Sequence, residues 1–207
     1  MDVLVEAITE MREEDAIRIA EEQLSSDTPP LQILERCREA MGIVGQRFET
    51  GESFVPELIL AGEMLRQISE MVKPRLGGGV EVKKSGRVVM GTVEGDIHDI
   101  GKDIVTFMLD VNGFEVTDLG VDVPASRFVQ AVQETRPQVV GLSGFLTLAY
   151  DPMKNTIEAL REAGLRDRVK VMIGGGQIDE HVREYTGADA FGKDAMAAVA
   201  LARQWTQ

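Results

Sequence analysis

The sequence is poor in the features that would tie a chain to an oxidising compartment, a membrane or nucleic acid. It has one cysteine, Cys37, so no disulfide can form within the chain. That residue lies in the periodic segment "LQILERCREAMGIV", where it is expected to be a small, buried apolar side chain. These features fit a reducing cytoplasm. No apolar run approaches the ~20 residues needed to span a bilayer. The start, "MDVLVEAITEMREED", has acids where a secretory leader needs bases. Basic residues are also scarce: 22 Lys and Arg face 35 Asp and Glu, a formal net charge of −13. The imbalance is heaviest in residues 1–76, with 16 acidic and 8 basic side chains. Such a chain is expected to have no sequence-independent grip on nucleic acid or on an anionic membrane.

Glycine and proline are nearly missing from the periodic stretches of residues 1–75, and helical spacing is correspondingly clear. Apolar positions recur as Ile8, Met11, Ala16, Ile19 and Ala20, then Leu31, Leu34, Cys37, Met41 and Val44, then Leu58, Ala61, Met64, Leu65, Ile68 and Met71. "SSDTPP" and "ETGES" separate these runs, and Pro30 and Pro56 suit first helical turns. The expectation is an all-α bundle of about four short helices over 1–76. A linker over 77–85, containing "GGG", follows. From Gly86 the pattern changes to five short apolar strands alternating with five helices, beginning with "RVVMGTV". That alternation predicts an α/β, flavodoxin-like (Rossmann-like) domain over 86–207, with a five-stranded parallel sheet in the order 2-1-3-4-5. Ligands of such sheets sit beyond the carboxyl ends of the strands where the order reverses, here between the loops after strands one and three. Those loops are "EGDIHDIGK" and "SGFLTLAYD", with "IGGGQID" nearby after strand four.

His98, one of two histidines, stands in the first of these loops. Four readings are open for it. It could be a satisfied loop residue. The loop could bind phosphate, but "GDIHDIGK" lacks the G-x-x-x-x-G-K-[ST] spacing. The domain could be a phosphoacceptor receiver, but Ser143 stands where strand three would need an aspartate. The imidazole could ligate a metal. A free ion would want several ligands, whereas a single imidazole suits a metal whose other positions a macrocycle already fills. Residues i and i+2 of an extended loop point the same way. Asp96 could then accept a hydrogen bond from one ring nitrogen and leave the other free to donate its lone pair to a metal. Gly101 would let a bulky ligand approach the backbone.

At this point the residues resemble a known family. D-x-H-x-x-G (Asp96, His98, Gly101), Ser143 after strand three and the pair Gly174 and Gly175 after strand four resemble the cobalamin-binding domain. "AMGIVGQRFETGESFVPELILAGEM" resembles the helical cap of methionine synthase and of the small corrinoid proteins of methyltransferase systems. The resemblance implies a cap domain over 1–76 and a cobalamin-binding domain over 86–207. It implies cobalamin bound base-off, carrying its methyl group as methylcobalamin, with His98 as the lower ligand to cobalt. Ser143 would contact the nucleotide tail, and Gly174 and Gly175 would leave space for it. Asp99, Ile100, Phe145, Leu146, Thr147 and Phe191 would line the cofactor, and Phe48 and Val55 would shield its upper face.

The same resemblance implies a cytoplasmic carrier subunit that is not itself a complete enzyme. Its partners would be a substrate-specific methyltransferase, a second methyltransferase acting on tetrahydrofolate or coenzyme M, and a reductive activase. Methanol, methylamines, betaines and aromatic methyl ethers all remain open as methyl donors. A cobalamin-binding sensor and the small subunit of an adenosylcobalamin mutase are the alternatives. The sensor would need a DNA-binding region, and the mutase subunit would not need the cap. Two departures stand out: Phe145 replaces the leucine of the family's S-x-L, and Ala149 replaces a serine that extends the hydrogen-bond chain from the histidine in methionine synthase. Thr147 and Tyr150 are the nearby hydroxyls.

Overall fold

The computed structural model describes residues 2–26, 28–76 and 84–207, which fall into two compact units, Met1–Val82 and Lys83–Gln207. Most of the expected linker, residues 77–83, lies outside the described residues.

The first unit is helical: α1 (Val3–Thr9), α2 (Glu13–Ser25), α3 (Pro30–Glu49) and α4 (Val55–Val72). The Asp2 carboxylate caps α1 by accepting from the Leu4 N–H at 2.9 Å. Pro30 opens α3 at a position whose N–H would have no helical partner, and Pro56 lies in the first turn of α4. The apolar run from Ile8 to Ala20 is divided between α1 and α2. The chain breaks at Glu10–Arg12, where the Met11 N–H donates to Ile8 O and the Arg12 N–H to Ala7 O. Those bonds close α1 with a Schellman motif, and Met11 takes the left-handed conformation (φ 57°) usually given to glycine. No glycine marked the stop, so the periodic pattern ran through it. Leu4, Ile8, Ala16, Ile33, Cys37, Met41, Leu58, Met64 and Ile68 are fully buried, and together they form the core of this unit.

The second unit runs β1 (Arg87–Thr92), α5 (Ile100–Val111), β2 (Glu115–Asp118), α6 (Ala125–Thr135), β3 (Val139–Ser143), α7 (Tyr150–Glu162), β4 (Lys170–Gly174), α8 (Glu180–Thr186), β5 (Ala190–Phe191) and α9 (Ala195–Thr206). All strand pairs are parallel, in the order β2-β1-β3-β4-β5. The central strands are buried on both faces, which is why they read as continuous apolar runs. Val89, Val140, Leu142 and Val171 pack with Phe128 of α6, Ile157 of α7 and Val182 of α8. The register sets Thr92, Ser143 and Gly174 side by side at the carboxyl edge. α5 begins at Ile100, three residues before Asp103, so Gly101 and Lys102 fall in its first turn.

Candidate functional site

Three loops meet at that edge: residues 93–99 after β1, 144–149 after β3 and 175–179 after β4. Asp96 joins the first two. Its carboxylate is 2% exposed and accepts four bonds. One oxygen takes the His98 N–H (3.0 Å) and lies 2.7 Å from His98 Nδ1; the other takes the main-chain N–H groups of Phe145 (2.7 Å) and Leu146 (3.2 Å). Burial alone would raise the pKa of this carboxyl. The bonds from His98, Leu146 and Phe145 outweigh it and hold the pKa down at about 2. An ionised carboxylate only accepts, so Nδ1 carries the hydrogen. With Nδ1 so engaged, Nε2 is the ring nitrogen left to offer a lone pair, and no described residue bonds it.

The ring is half exposed and lies against Phe145, with centroids 4.6 Å apart and planes tilted by 32°. The loops that carry the ring and Phe145, with the first residue of α5, also hold apolar side chains that the fold leaves in the open: Ile97 (72% exposed), Ile100 (76%), Leu148 (81%), and Phe145 and Leu146 to a lesser degree. Asp99 sits just before α5, with its side chain uncommitted to the helix end. Beyond its chain neighbours and the backbone of its own helix, Gly101 has no described heavy atom within 4 Å of where a Cβ would stand, so nothing in the packing of the described residues demands glycine there. Gly174 is similarly roomy, meeting only the Gly192 carbonyl oxygen at 3.7 Å. Gly175 differs: a Cβ on it would run into the Gly144 carbonyl oxygen, so its missing side chain serves the close approach of two loops. Ser143 and Phe191 are half-buried at their strand ends, and Thr147 is exposed in a short 3₁₀ turn over Thr147–Ala149.

Of the residues named from sequence, those of the second unit gather at this edge. Phe48 and Val55 belong to the helical unit, where Phe48 is half-buried near the end of α3 and Val55 opens α4 partly exposed. Among the described residues no side-chain hydroxyl bonds Asp96: the Tyr150 hydroxyl donates to Gln177 O at 2.9 Å, and Ala149 is buried. Main-chain N–H groups take that place.

Sequence reasoning missed three contributors. The Thr92 hydroxyl, fully buried, donates to His98 O at 3.0 Å. Asp122, left-handed at φ 52°, accepts from the Gly95 N–H (2.7 Å), and its own N–H donates to Asp96 O (2.9 Å). Lys102, only 3% exposed, bonds both Asp103 and Asp118 at 2.5 Å. Burial disfavours the charged ammonium, but the two carboxylates reverse this and raise its pKa. A polar residue closing an apolar strand was the available signal for Thr92. Asp122 carried none.

Among the described residues no group of three His, Cys, Asp or Glu could hold a metal ion by itself. Fold and edge define a class: a flavodoxin-like domain presenting one oriented imidazole, within an apolar patch, at its topological switch point. The comparisons with known proteins agree. The B12 binding domain family matches residues 86–202, and a second B12 binding domain family matches residues 1–73. Trimethylamine corrinoid protein 1 of Methanosarcina acetivorans is 40% identical over 200 residues, 96% of this chain and 93% of that protein. A cobalamin-binding protein from Desulfitobacterium hafniense superposes with a TM-score of 0.85 at 38% identity, covering 99% of this chain and 97% of that one. A chain of the methanol:cobalamin methyltransferase complex of Methanosarcina barkeri gives 0.82 at 27% identity, covering 98% and 77%. The chain belongs to the B12-binding corrinoid proteins, and its cofactor is a corrinoid.

Proposed function

We propose that the chain is a methyl carrier that binds its corrinoid base-off at the carboxyl edge of the sheet, with His98 Nε2 as the lower axial ligand to cobalt. The observation that carries this reading is the imidazole itself. Its Nδ1 is engaged by a buried, ionised carboxylate and its Nε2 is open, within a patch of exposed apolar side chains. The edge suits a broad flat group: Ile97, Ile100, Phe145 and Leu148 offer apolar contact, and Gly101 leaves the start of α5 bare. Gly174, beside Ser143 in the sheet, leaves room for a nucleotide tail, with Phe191 on the next strand.

When bound, the corrinoid supplies a cobalt centre that takes up and releases a methyl group. The chain's own part is binding and orientation. Asp96 holds the hydrogen on Nδ1 and leaves Nε2 free, the usual way an outer carboxylate makes a histidine a better ligand. The similarity to a trimethylamine corrinoid protein at 40% identity supports a methylated amine as the methyl source, handled by a partner methyltransferase. Transfer onward would need a second methyltransferase, and recovery from oxidation a reductive activase. For those two partners, and for Phe48 and Val55 as a shield, the support is the family resemblance alone.

The test is electron paramagnetic resonance of the cobalt(II) form of the full chain, purified with ¹⁵N-labelled histidine. The label should turn the triplet nitrogen splitting into a doublet, and His98→Ala should abolish the doublet while some cofactor stays bound. A spectrum blind to the label would overturn the assignment.

A further inference from the structure

We propose that Thr92 is a positioning residue for the axial ligand, acting through the His98 main chain together with Asp122. The inference rests on the reading of His98 as that ligand. Asp96 governs the ring, but a ligand atom's place also depends on where the loop main chain stands. Thr92 is the last residue of β1; its N–H is fixed to Gly120 O at 2.9 Å and its side chain is fully buried. From that rigid base the hydroxyl reaches forward to the His98 carbonyl at 3.0 Å. Strand pairing does not require this bond, and a valine would fill the β-branched position equally well. The hydroxyl, not the shape, is what ties the loop down.

Asp122 grips the loop from the β2–α6 connection. Its carboxylate takes the Gly95 N–H, and its own N–H reaches Asp96 O. It does so in a left-handed conformation that costs a non-glycine residue energy. The His98 carbonyl, N–H and ring are thus all engaged, and so is the main chain two residues before it. The imidazole can shift only by breaking these bonds. Removing one lets the loop sample positions in which Nε2 no longer meets the metal, and ligation weakens by the cost of restoring order.

The test titrates the full chain with cobinamide, the corrinoid lacking the nucleotide tail, so that His98 is the only axial nitrogen ligand expected. Binding is followed optically, and ligation by cobalt(II) paramagnetic resonance with ¹⁵N-histidine. Thr92→Val should weaken cobinamide binding about fivefold, the size of one net hydrogen bond, and reduce the doublet. Thr92→Ser keeps the hydroxyl and should stay within about twofold of wild type. Equal binding by Thr92→Val and wild type would overturn the proposal, and so would a Ser variant as weak as the Val variant. If Thr92→Val does not fold, Asp122→Ala against Asp122→Asn tests the other grip, because asparagine keeps both the acceptor oxygen and tolerance of the left-handed conformation. Undiminished ligation in Asp122→Ala would then reject the idea. A wild-type spectrum blind to the label would overturn the axial-ligand reading and this inference with it. A labelled wild type beside an unchanged Val variant would overturn the positioning role alone.

Discussion

Asp96 does two jobs with one carboxylate. Toward His98 it selects the tautomer; toward residues 145 and 146 it fastens the β3–α7 loop beside the imidazole. Both depend on its accepting at both oxygens. Asp96→Asn keeps one acceptor and replaces the other with an NH₂ group. Turned either way, the amide leaves buried donors facing a donor. The variant should therefore lose about 2 kcal/mol of stability in the cofactor-free protein, as expected for unsatisfied buried groups. Urea unfolding would measure it, and an unchanged midpoint would mean that solvent already satisfies those N–H groups. The main-chain donors beyond Asp96 also differ in kind from a serine at position 149. A hydroxyl can rotate and can both donate and accept, whereas a main-chain N–H only donates and in a fixed direction, so the chain from the imidazole ends at a fixed donor.

At the level of elements, two glycines separate the demands of folding from those of the ligand. Gly175 has a reason within the protein: the β3–α7 and β4–α8 loops approach so closely there that a Cβ would collide with Gly144 O. Gly101 has none; it sits in the first turn of α5 with empty space where a side chain would go. The two alanine variants should behave oppositely. Gly175→Ala should destabilise the cofactor-free protein by at least ~2 kcal/mol, since backbone atoms must move. Gly101→Ala should leave it equal or up to about 1 kcal/mol more stable, because alanine is the better helix former. It should nevertheless weaken cobalamin binding. Thermal melting of the cofactor-free variants, paired with optical cobalamin titration, gives both answers. Normal cobalamin affinity in Gly101→Ala would show that no ligand approaches this turn.

In the whole molecule, two units with separate cores give two places where stability can be lost. Cys37 belongs to the helical one and is fully buried; burial pushes its thiol from 9.0 up to about 12. The folded state therefore favours the neutral thiol. That contribution is intact below pH 9, and it is lost as pH rises toward 12 because the unfolded chain releases the proton first. At pH 10 the loss relative to pH 8 comes to about 1.4 kcal/mol. Denaturant unfolding of wild type and Cys37→Ala at both values isolates this contribution, since the variant should lack that part of the alkaline slope. Parallel slopes would show that the thiol is not held neutral. The same burial predicts that native protein at pH 8 resists thiol reagents until the helical unit opens.

Much of the architecture is legible from the sequence because hydrophobic periodicity is a local property. Helical spacing in 1–75, short β-branched runs from residue 87 onward and their strict alternation with helices specify a bundle and a parallel sheet without reference to distant residues. The pairing of Asp96 with His98 is legible for the same reason, since two residues of one loop suffice to describe it. The exact break between α1 and α2 has no such local mark, because Met11 takes there a conformation normally given to glycine. Only the tertiary structure decided what surrounds the imidazole. The second oxygen of Asp96 finds Phe145 and Leu146 because β1 and β3 are neighbours in register, and Asp122 reaches Gly95 because β2 flanks β1 on the other side. Gly175 is needed only because Gly144 arrives opposite it. Such contacts depend on strand order and register, which place residues far apart in the chain within hydrogen-bonding distance, and no window of sequence contains both partners.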